Sequence, residues 1–194
     1  MPAIIIKNER VKALTRKHPW IFSKALKKVV DNPGLGETID ILDQDGNWLA
    51  TGAYSPHSQI RARVWSFDQN EVIDQQFFER RIDRALAIRK DIIAQGQLTG
   101  YRLFAAENDG LPGITIDVFN NTLVMQLVSA GAEFQRDNLI AALKVKFPAH
   151  NLYERSDADA RGKEGIKKAT GPIFGEMPEE IVIQENGIKA YVDV

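Results

Sequence analysis

Three carboxylates near the middle of the chain are the first candidates for acid–base or magnesium chemistry. Glu107, Asp109 and Asp117 lie close together in the sequence, and carboxylates can serve as general acids, general bases or Mg²⁺ ligands. They flank Gly-Leu-Pro-Gly, however, and Asp-Gly and Pro-Gly are pairs that tight turns require. The pattern therefore favours turns over a carboxylate-dependent hydrolase.

The second candidate group is cationic and lies at the amino terminus. The first thirty residues contain eight Lys or Arg and one acid, Glu9, a balance of +7, whereas the whole chain carries −1. A local excess of cations can bind phosphate groups even when the total charge is near zero. The acidic residues that follow could equally neutralise it within the folded protein. The charge pattern alone favours neither interpretation.

Several catalytic classes are excluded by residue types that are absent or badly spaced. The chain has no cysteine, so it can form neither a disulfide nor a thiolate nucleophile. His18, His57 and His150 are far apart, without the spacing of metal ligands. No glycine-rich dinucleotide or phosphate loop is present, and no serine lies in a nucleophile elbow. The residues themselves predict no catalytic centre of these classes.

The cationic segment reads as one short strand followed by one short helix. A strand is predicted at residues 3–7 and an amphipathic helix at 9–18, which Pro19 ends because proline disfavours helix in the residue before it. Trp20 and Phe22 are expected to dock into the core and anchor the helix. The helix cations would then face solvent.

The next segment, residues 34–67, changes to the period of two that is typical of strands. Strands are predicted at 37–43, 48–54 and 59–67, with a hairpin turn at Asp45-Gly46. The alternation places Arg61 and Arg63 on one face of the sheet. Several short strands with tight turns and one small helix indicate a compact β-barrel.

The rest of the chain mixes helices and strands, which indicates a small α+β domain. The predicted elements are a long helix at 73–94, strands at 102–119, 122–128 and 151–155, a helix at 133–147 and a hairpin at 179–194. The arginines of the long helix are expected to form a solvated, ion-paired face. Residues 155–165 have mixed charge and are predicted to form a loop. The polar segment 67–72 suggests a boundary, giving domains 1–70 and 71–194.

Four blocks of the sequence, taken in order, resemble one enzyme family. They are KNERVKALTRKHPWIFSKAL, GETIDILDQDGNWLATGAYSPHSQIRARVWSF, AENDGLPGITIDVF and YERSDADARGKEG. Together they resemble the bacterial S-adenosylmethionine-dependent large-subunit rRNA cytosine-C5 methyltransferases. The resemblance implies an RNA-binding PUA pseudo-barrel at residues 1–70, a central α+β domain at 71–194 and a Rossmann-like methyltransferase domain.

The third of these domains is expected to be absent, because the chain ends in a strand-like segment. Cytosine-C5 methylation needs a cysteine thiolate, and the cofactor needs a glycine-rich turn. The chain is therefore expected to be a non-catalytic fragment of a cytoplasmic enzyme. It should hold no cofactor itself, with S-adenosylmethionine bound in the missing domain.

Large-subunit rRNA is the partner that the resemblance implies, with a possible homodimer. Recognition of structured RNA relies mostly on shape and backbone phosphates. The candidate RNA-binding residues are Lys7, Arg10, Lys12, Arg16, Lys17, Arg61 and Arg63. Tyr54 could stack on an unpaired base, although an ordinary half-buried tyrosine is favoured. The alternative function is a protein-interaction or dimerisation module without RNA contact.

Overall fold

Two β-sheets, each with its own apolar core, make up most of the molecule. The computed structural model describes residues 1–94 and 98–194. The six-stranded first sheet lies wholly within residues 3–66, and the five-stranded second sheet lies within residues 100–174. A separate two-stranded hairpin follows the second sheet.

The first sheet is mixed and has the strand order β2-β6-β5-β4-β1-β3. Its strands are β1 (Ala3–Ile6), β2 (Trp20–Phe22), β3 (Leu26–Val30), β4 (Thr38–Leu42), β5 (Trp48–Tyr54) and β6 (Ile60–Ser66). Strands β1 and β4 run parallel, and the other pairs are antiparallel. Ile4 and Ile6 on β1 and Ile39 and Ile41 on β4 are buried, as expected where alternate side chains face one core. The strands predicted at 37–43, 48–54 and 59–67 are confirmed, whereas β3 was not predicted.

Helix α1 (Asn8–Thr15) ends earlier than the proline predicts. The N–H of Lys17 donates to the carbonyl of Leu14 at 2.8 Å, and the N–H of His18 donates to that of Ala13 at 3.0 Å. Lys17 has a φ of 58°. These bonds form a Schellman motif, which satisfies carbonyls at the helix end. The helix therefore stops through its own backbone turn, ahead of Pro19.

The aromatic residues after α1 do not both dock into the core. Ile21 is buried, whereas Phe22 is 47% exposed and Trp20 is half-buried. Because successive side chains of a strand point to opposite faces, burial of Ile21 turns both aromatic neighbours the other way. Neither ring belongs to an apolar core, so the predicted core positions of Trp20 and Phe22 are both wrong.

The second sheet has the order β11-β10-β9-β8-β7, and its apolar core also contains buried residues of three helices. Its strands are β7 (Gly100–Ala105), β8 (Ile114–Phe119), β9 (Thr122–Leu127), β10 (Asn151–Ser156) and β11 (Ala169–Phe174); the helices are α2 (Gln75–Ala94), α3 (Ala130–Phe134), α4 (Arg136–Lys146) and α5 (Ala160–Glu164). Strands β9 and β10 are parallel and joined through α3 and α4. The long helix at 73–94 is confirmed as α2. The hairpin predicted at 179–194 is confirmed as β12 (Ile181–Glu185) and β13 (Ile188–Val192).

Two residues of the first sheet, Ala53 and Trp65, belong to the second apolar core. Phe77 and Phe78 of α2 are fully buried in the second core. The ring of Trp65, from β6 of the first sheet, lies 6.3 Å from that of Phe77 and 6.1 Å from that of Phe78, edge to face. Such aromatic pairs add attraction beyond the apolar area that they bury. The first sheet is thus anchored to the second.

Residues 155–165 are only partly the loop that was predicted. They include α5, in which Arg161 and Glu164 are buried. Strand β11 was not predicted either. Within the described ranges, no helix has the length and apolar character needed to cross a membrane.

Candidate nucleic-acid interface

The three central carboxylates do not form a cluster. Asp109 pairs with Arg89 of α2 at 2.8 Å, and Asp117 pairs with an arginine of β7 at 2.8 Å. Glu107 accepts a hydrogen bond from the indole N–H of Trp20 at 2.7 Å. Residues 1–94 and 98–194 contain no group of three or more His, Asp or Glu placed to hold a metal ion. Each carboxylate therefore has a separate structural contact, which favours the turn interpretation.

The amino-terminal cations stand apart from the other charged residues. None of the eight Lys or Arg in the first thirty residues forms an ion pair with any residue that the structure describes. We define the basic face as the five exposed cations on α1, after it and before β3: Arg10, Lys12, Arg16, Lys17 and Lys24. Lys7, directly before α1, is half-buried. The alternative in which neighbouring acids neutralise this segment finds no support in these contacts.

An apolar groove lies beside the basic face, between α1 and β2. It has a volume of about 320 Å³. Ile6, Leu14 and Ile21, all buried, contribute to its lining. Trp20 and Phe22 also line it, with ring centroids 6.2 Å apart and ring planes at 85°. The groove therefore combines aromatic rings with adjacent cations.

The position of Trp20 is fixed by one hydrogen bond from its side chain and one from its backbone. Its indole N–H donates to Glu107, in the turn after β7. Its backbone N–H donates to Nδ1 of His18 at 3.1 Å. His18 thus accepts a local hydrogen bond.

Arg63 is not on the basic face with the α1 cations. Its guanidinium lies 2.9 Å from Glu164, and the two side chains are 13% and 4% exposed. Arg61 is half-buried and donates to the carbonyl of Pro56. The sheet face that these arginines share points towards the rest of the protein, so the prediction that Arg63 joins an open RNA-binding surface is corrected. Tyr54 is half-buried against the first core, in line with an ordinary tyrosine.

Glu164 is a junction residue that the sequence did not reveal. Besides Arg63, it accepts hydrogen bonds from Ser55 Oγ at 2.6 Å and from the Ala130 N–H at 3.2 Å. Burial raises the pKa of Glu164, but hydrogen bonds from Ser55, Ser58 and Arg63 outweigh it and hold that pKa below its ordinary value. One carboxylate thus joins the segment after β5, strand β6 and helix α3.

Arg161 makes a second buried junction beside it. Its guanidinium donates to the carbonyl of Lys167 at 2.7 Å and to Glu133 at 2.8 Å, and also to the carbonyl of Leu127. The spacing of Arg161 and Glu164, three residues apart, is typical of one helix face. That was the available sequence signal, but it does not distinguish burial from exposure.

One strand-to-helix turn is of the kind that could hold S-adenosylmethionine, the cofactor that the resemblance implies. Residues 129–132 lead from β9 into α3 and include Gly131. The N–H of Ala130 is already bonded to Glu164, and a Cβ on Gly131 would lie 2.2 Å from that of Ala53. The residues of this turn therefore do not fit the cofactor.

Comparison with known proteins relates the whole chain to one group of enzymes. Residues 4–67 match the PUA-like domain family. The chain is 55% identical to ribosomal RNA large subunit methyltransferase I of Pseudoalteromonas translucida over 193 residues, 99% of the chain and 49% of that protein. It is 55% identical to the protein of that name from Vibrio cholerae, over 100% of the chain and 49% of the relative. The chain spans about half the length of these relatives.

Two solved structures correct two expectations. A putative methyltransferase complexed with SAH matches 98% of this chain with a TM-score of 0.80 and 21% identity, over 47% of that structure. A putative SAM-dependent methyltransferase from Streptococcus mutans matches 98% with a TM-score of 0.81 and 21% identity, over 48% of that structure. At this identity the likeness is one of fold. Because methyltransferase structures cover nearly the whole chain, the expected fold class, in which the methyltransferase domain is absent, is overturned.

The same coverage overturns the expectation that S-adenosylmethionine belongs only to a missing domain. The expectation that the chain is non-catalytic likewise has no support in these likenesses. Over essentially its full length, the chain is similar to about half of ribosomal RNA large subunit methyltransferase I, and its residues 4–67 are similar to the PUA-like domain family.

Proposed function

We propose that this chain is an RNA-binding part of an S-adenosylmethionine-dependent methyltransferase that modifies large-subunit rRNA in the cytoplasm. Residues 1–70 would form the RNA-binding domain, and residues 71–194 an α+β domain that orients the RNA. The observation that carries the proposal is the basic face, whose five cations lack ion pairs among the described residues. The similarity to rRNA methyltransferases over 99–100% of the chain supports it.

The contrast between paired and unpaired cations argues for phosphate binding. Among the described residues after residue 60, seven of the ten arginines pair with carboxylates, as Arg89, Arg136 and Arg161 do. An unpaired surface cation keeps its charge available to a partner, and binding to RNA releases the counterions condensed on the phosphates. Because A-form RNA hides its major groove, such contacts would position the RNA more than read its sequence.

We further propose cytosine C5 as the methylated atom, on the strength of the four sequence blocks. C5 of cytosine is a weak nucleophile until a thiolate adds to the ring. The chain contains no cysteine, so for this target the thiolate would come from outside these 194 residues. S-adenosylmethionine would supply the methyl group. The residues described here would bind and orient the RNA.

The salt dependence of binding tests this function. Five phosphate contacts predict a slope of log affinity against log salt of about −3.5 to −4.5. Binding of the chain to fragments of large-subunit rRNA, measured by fluorescence anisotropy from low to moderate salt, provides the slope. A flat salt response, or no binding at the lowest salt, contradicts the proposal.

Charge reversal locates the contact surface. The double variant Arg16→Glu, Lys17→Glu should weaken RNA binding and make the salt slope shallower by roughly two. A matched control is Lys90→Glu, Lys189→Glu, which changes the total charge equally at two exposed lysines distant from α1 in sequence. Equal loss of affinity in both variants would show a general charge effect. A collapse of thermal stability in the first variant would instead make those residues structural.

A second candidate function has one observation in its favour. Ile188 and Tyr191 on β13 are 72% and 75% exposed, and exposed apolar strands are common at protein interfaces. A second copy of the chain could bind to this strand. The chain would then be a dimerisation module without RNA contact. Light scattering distinguishes the two: a stable dimer that does not retain RNA favours this alternative.

A further inference from the structure

The groove between α1 and β2 exposes aromatic surface that serves neither core. Phe22 is 47% exposed, although an aromatic ring in water forgoes apolar stabilisation. Trp20 is half-buried, and its only side-chain polar group is already satisfied by Glu107. The rings therefore need no further polar partner, and their apolar surfaces lie open at the groove.

The charges around this groove have one sign. Arg10 and Lys24 line it, and no Asp or Glu does. Two other cavities differ. One of about 530 Å³, beside Lys17, is also lined by Glu71 and Glu107, and one of about 640 Å³ is lined by three carboxylates and no Lys or Arg. Charge complementarity therefore selects an anionic occupant for the α1–β2 groove.

The groove is also preorganised. Trp20 is tied to Glu107 and His18, and buried Ile21 anchors the strand between the two aromatic residues. A surface that is rigid before binding loses less conformational entropy when a ligand arrives. Its volume of about 320 Å³ lies within the range of small-ligand sites.

We propose that this groove binds an unpaired nucleobase of the RNA, stacked against Phe22 beside Trp20, while Arg10 and Lys24 contact the adjoining phosphates. Aromatic stacking accepts any base, because every base has a π-face. This proposal rests on the proposed RNA-binding function and deepens it: the preferred substrate has an unpaired nucleotide next to a helix. The stacking residue is then Phe22, and not Tyr54.

A pair of RNA hairpins tests this directly. One carries a single bulged purine, and the other is identical but fully paired. The chain should bind the bulged hairpin more tightly. Phe22→Ala should lower affinity for the bulged hairpin by about tenfold, a typical effect of losing one base–aromatic stack, and leave the paired hairpin nearly unaffected. Phe22→Tyr should retain the preference, whereas Phe22→Leu, apolar but without a ring, should lose it.

Phe134→Ala is the matched control. Phe134 is 55% exposed and lines the cavity with carboxylates and no Lys or Arg, so its loss should not change either affinity. Circular dichroism should show all four variants folded, since both altered side chains are about half exposed and lie outside the two cores.

Each other outcome has a defined meaning. The proposal of a stacked base is overturned if Phe22→Ala weakens binding to both hairpins equally. It is also overturned if Phe22→Leu binds like the unaltered chain. Steep salt dependence would then still support the RNA-binding function. If the unaltered chain binds neither hairpin at low salt, both proposals fail.

Discussion

At the scale of single residues, Glu164 shows that a charged residue in a polar segment can be buried and have a structural role. Its sequence neighbourhood, residues 155–165, is typical of a solvated loop, but its carboxylate bonds Ser55, Arg63 and the N–H of Ala130 inside the protein. Removing one partner of a buried pair is costly because the other charge remains unpaired. Arg63 therefore has a structural role, unlike the cations of α1.

Glu164→Gln should destabilise the chain by about 3 kcal/mol, because Gln can keep hydrogen bonds but not the charge that balances Arg63. That corresponds to a fall in Tm of roughly 6–12 °C at neutral pH. Because folding lowers the pKa of Glu164, its contribution is present above its ordinary value near 4.5 and is lost as pH falls through the folded pKa.

The pH dependence of that variant supplies its control. Thermal unfolding from pH 7 to pH 3 should show the difference between Glu164→Gln and the unaltered chain shrink at acidic pH. A difference that stays constant with pH would mean that the carboxylate is not ionised in the folded protein.

At the scale of elements, Lys17 at the end of α1 has a strained backbone but adds a positive charge to the basic face. Lys17 occupies the left-handed position of the Schellman motif, where glycine is preferred because a Cβ is strained there. A lysine at this point extends the basic face by one cation beyond the helix. Local stability and RNA binding are therefore expected to oppose each other at this residue.

Lys17→Gly should raise stability by about 1 kcal/mol while weakening RNA binding and making the salt slope shallower by about 1. Thermal unfolding and anisotropy titrations measure the two effects. Lys17→Ala is the control, because it removes the same charge but keeps the Cβ: it should weaken binding similarly without the gain in stability. If Lys17→Gly lowered both stability and RNA binding, the expected opposite effects on the two would be contradicted.

At the scale of the whole molecule, the two sheets are joined by close contact as well as by charge. Trp65 reaches the second core, Glu164 bonds both halves, and Gly131 of α3 lies against Ala53 of β5. Close-packed junctions of this kind do not absorb added volume without backbone shifts. The first sheet is thus held in a fixed orientation relative to the second sheet.

Gly131→Ala should therefore destabilise the chain by about 1–3 kcal/mol, because the added Cβ would lie 2.2 Å from that of Ala53. Gly162→Ala is a matched control in α5: its Cβ would meet no atom within 4 Å, and alanine favours helix. Calorimetry should show a lower Tm only for Gly131→Ala. Equal Tm values for the two variants would mean that the junction is loosely packed.

The sequence by itself determined the elements whose signals are local. The period of two in β4 to β6, the apolar spacing of α2 and the Asn186-Gly187 hairpin each depend on neighbouring residues, because strand and helix periodicities act over a few positions. The strong charge of the first thirty residues was also visible. The short elements β3, β11 and α5 have weaker local patterns and were not predicted.

Only the tertiary structure decided which charges are free and which rings are exposed. Ser55 and Glu164 are 109 residues apart in sequence yet hydrogen-bonded, and the burial of Arg63 depends on that same carboxylate. No local pattern carries such a pairing, because it arises from how the two sheets dock. The same docking places Trp20 against Glu107 and leaves Phe22 in the open groove, because a strand residue's face is set by the core that its neighbour joins.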